Sequence, residues 1–135
     1  MPTQDVHPGR LVVLNDIECW ELLQSRPVGR IAWFGLQGVS VIPVNFEVAD
    51  NAIVLRTTPY SMMARDSADR QVAFEVDLID DEHHSGWSVL ARGRCTRLHR
   101  SPDTPGPWVT GPRILGMRIE VQSISGRRIL QPDKD

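Results

Sequence analysis

From Val28 onward the apolar residues of this chain stop recurring at helical spacing and begin to alternate, and turn signals cut the alternation into short runs. Val28-Gly-Arg-Ile-Ala-Trp-Phe is a first strand candidate, closed by the turn Gln37-Gly38. Val39 to Val48 follows, then Asp50-Asn51, a dipeptide that favours a tight hairpin, then Ala52 to Thr57. Pro43 lies inside the second run and cannot donate to a ladder, which predicts an edge position or a bulge. Gln71 to Asp77 places Val72, Phe74 and Val76 on one side and Ala73, Glu75 and Asp77 on the other. Gly86 to His99 reads as a long strand with a bulge or bend at Gly93. Ile114 to Val121 and Ile124 to Leu130 read as two final strands separated by polar residues. Short strands joined by hairpin turns predict a mainly β protein, about six antiparallel strands closed into a barrel. Closure also removes the sheet edges that so small a chain would otherwise expose.

One or two short helices complete the pattern. Asn15 is a helix cap, and Glu18 stands three residues on, the spacing of a capping box. Ile17, Trp20 and Leu23 then recur on one helical face, and Pro27 ends the run. Tyr60 to Ala68 forms a second short helix capped by Ser61. Leu11 to Leu14 is a short edge strand, and Leu78 to Ser85 an acidic, histidine-containing loop. The proline-rich stretch Ser101 to Pro112 is a second loop.

A chain of 135 residues has room for one domain. The division read from the sequence is an N-terminal arm with an edge strand (1–13), the barrel (14–130) and a tail (131–135). No apolar run is long enough to span a bilayer, and the first residues lack the regions of a signal peptide, so a cytoplasmic protein with no membrane contact is expected. Cys19 and Cys95 are too few for a disulfide framework, which suits a reducing compartment. The net charge of -2 argues against nucleic acid as a partner.

Several groups of residues carry chemistry. Arg56-Thr57-Thr58 and Ser61 lie where a strand gives way to a short helix, so backbone N–H groups, hydroxyls and a guanidinium could gather around a phosphate. The plainer reading is a capped helix beside a solvent-facing arginine. His83-His84 stands among Asp80, Asp81 and Glu82, yet adjacent loop histidines are not a spaced ligand set, and no metal is expected. No nucleophile motif occurs, and the catalytic residues stay unassigned. Arg92, Arg94, Arg97, Arg100, Arg113, Arg118, Arg127 and Arg128 crowd the C-terminal third, as exposed barrel faces or as the field of an anionic small molecule. Trp87 and Trp108 sit at element edges where an indole can cover a flat ligand, whereas Trp20 and Trp33 read as core.

The order of Cys19-Trp-Glu-Leu-Leu, Pro27-Val-Gly-Arg-Ile-Ala, Ile42-Pro-Val-Asn-Phe, Leu55-Arg-Thr-Thr-Pro-Tyr-Ser, Val72-Ala-Phe-Glu-Val-Asp, Ser85-Gly-Trp-Ser-Val and Ser125-Gly-Arg-Arg-Ile resembles the pyridoxamine 5'-phosphate oxidase-like family. The resemblance runs from about Leu14 to Leu130. It implies a six-stranded antiparallel split barrel of Greek-key type, a homodimer, and FMN bound in grooves at the subunit interface. By that resemblance Ile42, Pro43, Val44 and Asn45 line the flavin ring, while Arg56, Thr57 and Thr58 meet the ribityl-phosphate region. Ser61 caps the helix facing the phosphate, Trp87 and Ser88 stand at a polar contact to the ring, and Trp108 and Arg127 reach the flavin of the other subunit. Met62 and Met63 stand where the family usually carries basic residues on the phosphate. A deazaflavin coenzyme or haem is therefore an alternative cofactor. The implied activity is an FMN-dependent oxidoreductase of unknown small-molecule substrate, with a non-catalytic cofactor-binding module or a deazaflavin-dependent reductase as the alternative.

Overall fold

The structure, a computed structural model, describes residues 10–58, 61–98 and 115–131. Among them are seven strands and two helices: β1 (Arg10–Val13), α1 (Asp16–Gln24), β2 (Val28–Gly35), β3 (Gly38–Ala49), β4 (Ala52–Thr57), α2 (Met62–Ser67), β5 (Arg70–Asp80), β6 (Ser85–Arg97) and β7 (Leu115–Leu130). The sheet order is β1-β7-β4-β3-β2-β5-β6, and β6 also pairs with β7. The six strands β2 to β7 thus close into the expected antiparallel ring, and β1 hangs outside it on the end of β7.

Local chemistry explains most of the boundaries. The Asn15 side chain accepts from Glu18 N–H at 2.9 Å while the Glu18 carboxylate accepts from Asn15 N–H at 3.1 Å, closing the capping box. Asp50 and Asn51 both adopt positive φ, 51° and 60°, as a two-residue hairpin turn requires. Pro43 lies on the half of β3 that pairs only with β2, so its missing N–H costs no bond on the other side.

Three expectations change. The two final strands are one, β7, because a bulge replaces the break: Arg92 pairs with Ser123 and Gly93 with Val121, which leaves Gln122 as the extra residue. A Cβ at Gly93 would collide with the Glu120 carbonyl, so glycine is what lets the bulge close up. The acidic loop is shorter than its sequence, since β5 runs to Asp80 and β6 begins at Ser85. In α1 the buried positions are Cys19 and Leu23, one turn apart, whereas Ile17 is 72% exposed. The Ser101 to Pro112 loop lies outside the described residues.

The interior is filled by alternate residues of every ring strand, including Ile31, Phe46, Ile53, Phe74, Val89 and Ile119. Phe46 and Phe74 meet edge to face with centroids 4.8 Å apart. Trp33 and Trp87 both belong to this core. No helix among the described residues is long and apolar enough to cross a membrane.

Candidate functional site

The ring is not equally closed all round. β3 and β4 leave their hairpin as a regular ladder that ends after four pairs, at Phe46 opposite Leu55. Beyond that point β3 follows β2, and Arg56 and Thr57 of β4 follow β7. The seam opens into a groove of about 340 Å³, walled by Pro43 to Glu47 on one side and Val54 to Arg56 on the other. That size falls in the range of small-molecule sites.

The backbone edge at this seam is polar. Phe46 N–H donates to the Pro27 carbonyl at 3.3 Å, towards β2, so strand alternation turns the peptide groups of Asn45 away from β2 and into the opening. Arg56 stands across from it, exposed and without an ion-pair or hydrogen-bond partner among the described residues. Pro43 and Val44 supply an apolar wall beside these groups. Flat apolar surface, the end of a strand ladder and one guanidinium, with the Glu47 carboxylate on the same lining, together suit a planar ligand with a polar rim.

The end of β4 is tied to α2. Thr57 Oγ1 and Ser61 Oγ share a hydrogen bond at 2.9 Å, and Ser61 Oγ accepts from Ala64 N–H at 3.0 Å. Thr58 is exposed, and its carbonyl accepts from Ser61 N–H at 3.1 Å. Met63 is 2% exposed and belongs to the core, whereas Met62 is only partly buried against it. Of the two methionines, only Met62 stands where another side chain could reach out of the barrel.

The structure thus gathers Pro43, Val44, Asn45 and Arg56 around the groove, with Ile42 next to them on β3, Thr57, Thr58 and Ser61 where β4 gives way to α2, and Met62 at the start of α2. It does not bring the C-terminal group to the same place within one chain. Ser88 faces Asp77 on one side and Arg127 on the other, on the outer surface of the opposite wall. Trp87, one position away, points inward and is 7% exposed. Trp108 lies outside the described residues.

One constellation was not singled out from the sequence. Arg30 Nη1 lies 2.9 Å from Glu75 Oε1 and 3.0 Å from Asp77 Oδ2. Its signal was weak, since each residue occupies an ordinary outward strand position and only the pairing of Arg30 with Glu75 joins them. Burial, together with the Asp77 carboxylate, pushes the Glu75 carboxyl up to about 7, further than Arg30 draws it down. Burial also pushes the Cys95 thiol to about 11, which keeps it protonated and unreactive. His83 Nδ1 lies 2.7 Å from Asp80 Oδ2 in an exposed turn.

A six-stranded antiparallel ring, with a groove and an arginine where the β3–β4 ladder stops, defines a split barrel. The chain belongs to the pyridoxamine 5'-phosphate oxidase family, whose model matches residues 15–128. An uncharacterized protein of Mycobacterium tuberculosis, Rv0080, is 30% identical over 131 residues, covering 89% of this chain and 86% of its own length. The solved structure of an FAD binding protein from Mycobacterium smegmatis is 28% identical with a TM-score of 0.72, covering 88% of this chain and 98% of that one. An FAD-binding protein from Mesorhizobium loti shares the fold with a TM-score of 0.72 at 22% identity, over 91% of this chain and 99% of the other.

Proposed function

We propose that this protein is a flavin-dependent oxidoreductase that holds FMN in the seam between β3 and β4. The observation that carries this reading is the ladder that stops at Phe46 and Leu55, leaving the edge of Asn45 and the guanidinium of Arg56 on either side of one groove. Family membership and the flavin-binding description of the Mycobacterium smegmatis relative support it.

A bound flavin would supply the hydride chemistry. The chain's own residues bind and orient. Pro43 and Val44 offer a flat wall, the Asn45 peptide groups hydrogen-bond the ring's polar rim, and Arg56 pairs with the phosphate. The Thr57–Ser61 bond fixes the end of the groove. With methionine at 62 and 63, Arg56 is the one cation lining the groove among the described residues, so the phosphate would be held by a single strong contact.

The working unit is a homodimer. Phe34 opposite Val39, and Ala32 opposite Val41, form an apolar outer face on β2 and β3, with Phe34, Val39 and Val41 each more than half exposed. A second copy covers that face, and Arg127 and Ser88 would serve the partner's groove. The missing basic side chain favours one other reading, a cofactor-carrying module without turnover.

The absorbance spectrum of the purified protein, before and after adding FMN, tests the proposal. Flavin bands that persist through desalting are expected. A colourless protein that retains no added FMN contradicts it, and a Soret or deazaflavin band assigns the groove to another cofactor. Bleaching of bound flavin by NADPH, followed by reoxidation, separates an enzyme from a carrier. Light scattering is expected to report a dimer.

A further inference from the structure

The ring has a second opening. β2 and β5 pair only from Arg30–Glu75 to Ala32–Ala73, although β5 runs on to Asp80 and β2 begins at Val28. Where they diverge lies a recess of about 490 Å³. Val28, Pro43 and Ile79 give it apolar walls, and Arg26, Arg30 and Asp77 bring charge to it.

The charges are not equivalent. Asp77 is held by Arg30, whose Nη1 also binds Glu75. Arg26 is exposed and has no ion-pair or hydrogen-bond partner among the described residues, so the uncommitted charge in the recess is positive. The register places one further cation outside the recess lining. Asp77 faces Ser88 and Ser88 faces Arg127, which puts Arg127 two strands, about 10 Å, from Asp77. The Glu75 carboxyl, pushed up to about 7, is partly neutral near neutral pH and weakens the opposing negative field.

Pro43 lines both openings. It also pairs with Arg30 on the outer face, so a ligand in the recess would lie against the residue that walls the β3–β4 seam. We propose that this recess binds a small organic acid: its carboxylate on Arg26, its apolar body on Val28, Pro43 and Ile79. That the acid is the substrate rests on the seam being the flavin site; that it binds does not.

Calorimetric titration of the cofactor-free protein with benzoate, benzyl alcohol and benzylamine tests this. Benzoate is expected to bind at least tenfold more tightly than either of the others. Arg26→Gln, an exposed position, is expected to weaken benzoate about tenfold with an unchanged melting temperature. Ile79→Asp, at a side chain 55% exposed, is expected to abolish it. Equal binding of the three probes, a preference for benzylamine, or benzoate binding indifferent to Arg26→Gln would overturn the proposal. FMN titration of Arg26→Gln is expected to match the wild type, because Arg26 does not line the seam. Failure of FMN to bind at all would count against the seam and leave the benzoate result standing.

Discussion

The wall made by β5, β6 and β7 and the wall made by β2, β3 and β4 consist of similar alternating strands, but their strands stay together for very different lengths. β5 and β6 pair without a gap from Arg70–Cys95 to Asp80–Ser85, and β6 follows β7 across a bulge from Gly86–Ile129 to Arg97–Met117. β2 and β3 pair from Val28–Asn45 to Gly35–Gly38, but β3 and β4 share only four pairs, and β2 meets β5 of the other wall at only three. On the first wall the backbone satisfies itself. On the second it leaves peptide edges and two recesses, and buried or ligand-facing polar groups need partners. The difference teaches where to look: stability is expected from the sealed wall, and binding where the ladders stop.

The largest effect should come from the sealed wall. Phe74 is fully buried and packs edge to face on Phe46, so Phe74→Ala should lower unfolding free energy by about 3–5 kcal/mol in urea denaturation. Glu47→Gln, at an exposed position of the open wall, should change it by less than about 0.5 kcal/mol. Similar losses at both positions would break the comparison.

Next comes Met62→Lys. A lysine there can add one charge-assisted hydrogen bond to the phosphate, worth about 1.5–3 kcal/mol, or roughly ten- to a hundredfold tighter FMN binding by fluorescence titration. An unchanged Kd would put the phosphate elsewhere. Ser61→Ala is smaller. It removes the cap on Ala64 N–H and the bond to Thr57, and should cost about 1 kcal/mol of stability.

Smallest is a pH effect at the margin of the second recess. The Glu75 carboxyl sits at about 7 in the folded chain against an ordinary 4.5, so the folded state holds an extra proton between those values. Stability should therefore fall as pH rises from about 4.5 to about 7, and level off above. Glu75→Gln should flatten that slope and raise the melting temperature at about pH 8. A wild-type profile that rises through this window would show Glu75 ionised and stabilised by Arg30 instead.

What was legible in the sequence follows the range of the interaction. Asn15 with Glu18, Asp50 with Asn51, and Ser61 with Ala64 act within a few residues, and each appears where its local chemistry puts it. Gln122 and Ser123 misled because a bulge and a strand break carry the same local polarity, and only the pairing with Arg92 and Gly93 separates them. Ile17 fits a helical stripe, but the stripe's orientation is set by the contact of Cys19 with the Gly126 backbone, where an added Cβ would come within 2.8 Å of the sulfur. Pro43, Val44, Asn45 and Arg56, which line the groove, stand out in the sequence only through the family resemblance. Arg30, Glu75 and Asp77 were not, because a register between strands more than forty residues apart brings them together.

Backbone amide shifts on adding FMN to isotopically labelled protein would test the seam most directly. The largest shifts are expected at Asn45, Arg56 and Thr57, flanking the point where the β3–β4 ladder stops. Shifts confined to β5, β6 and β7, with Asn45 and Arg56 unmoved, would contradict it.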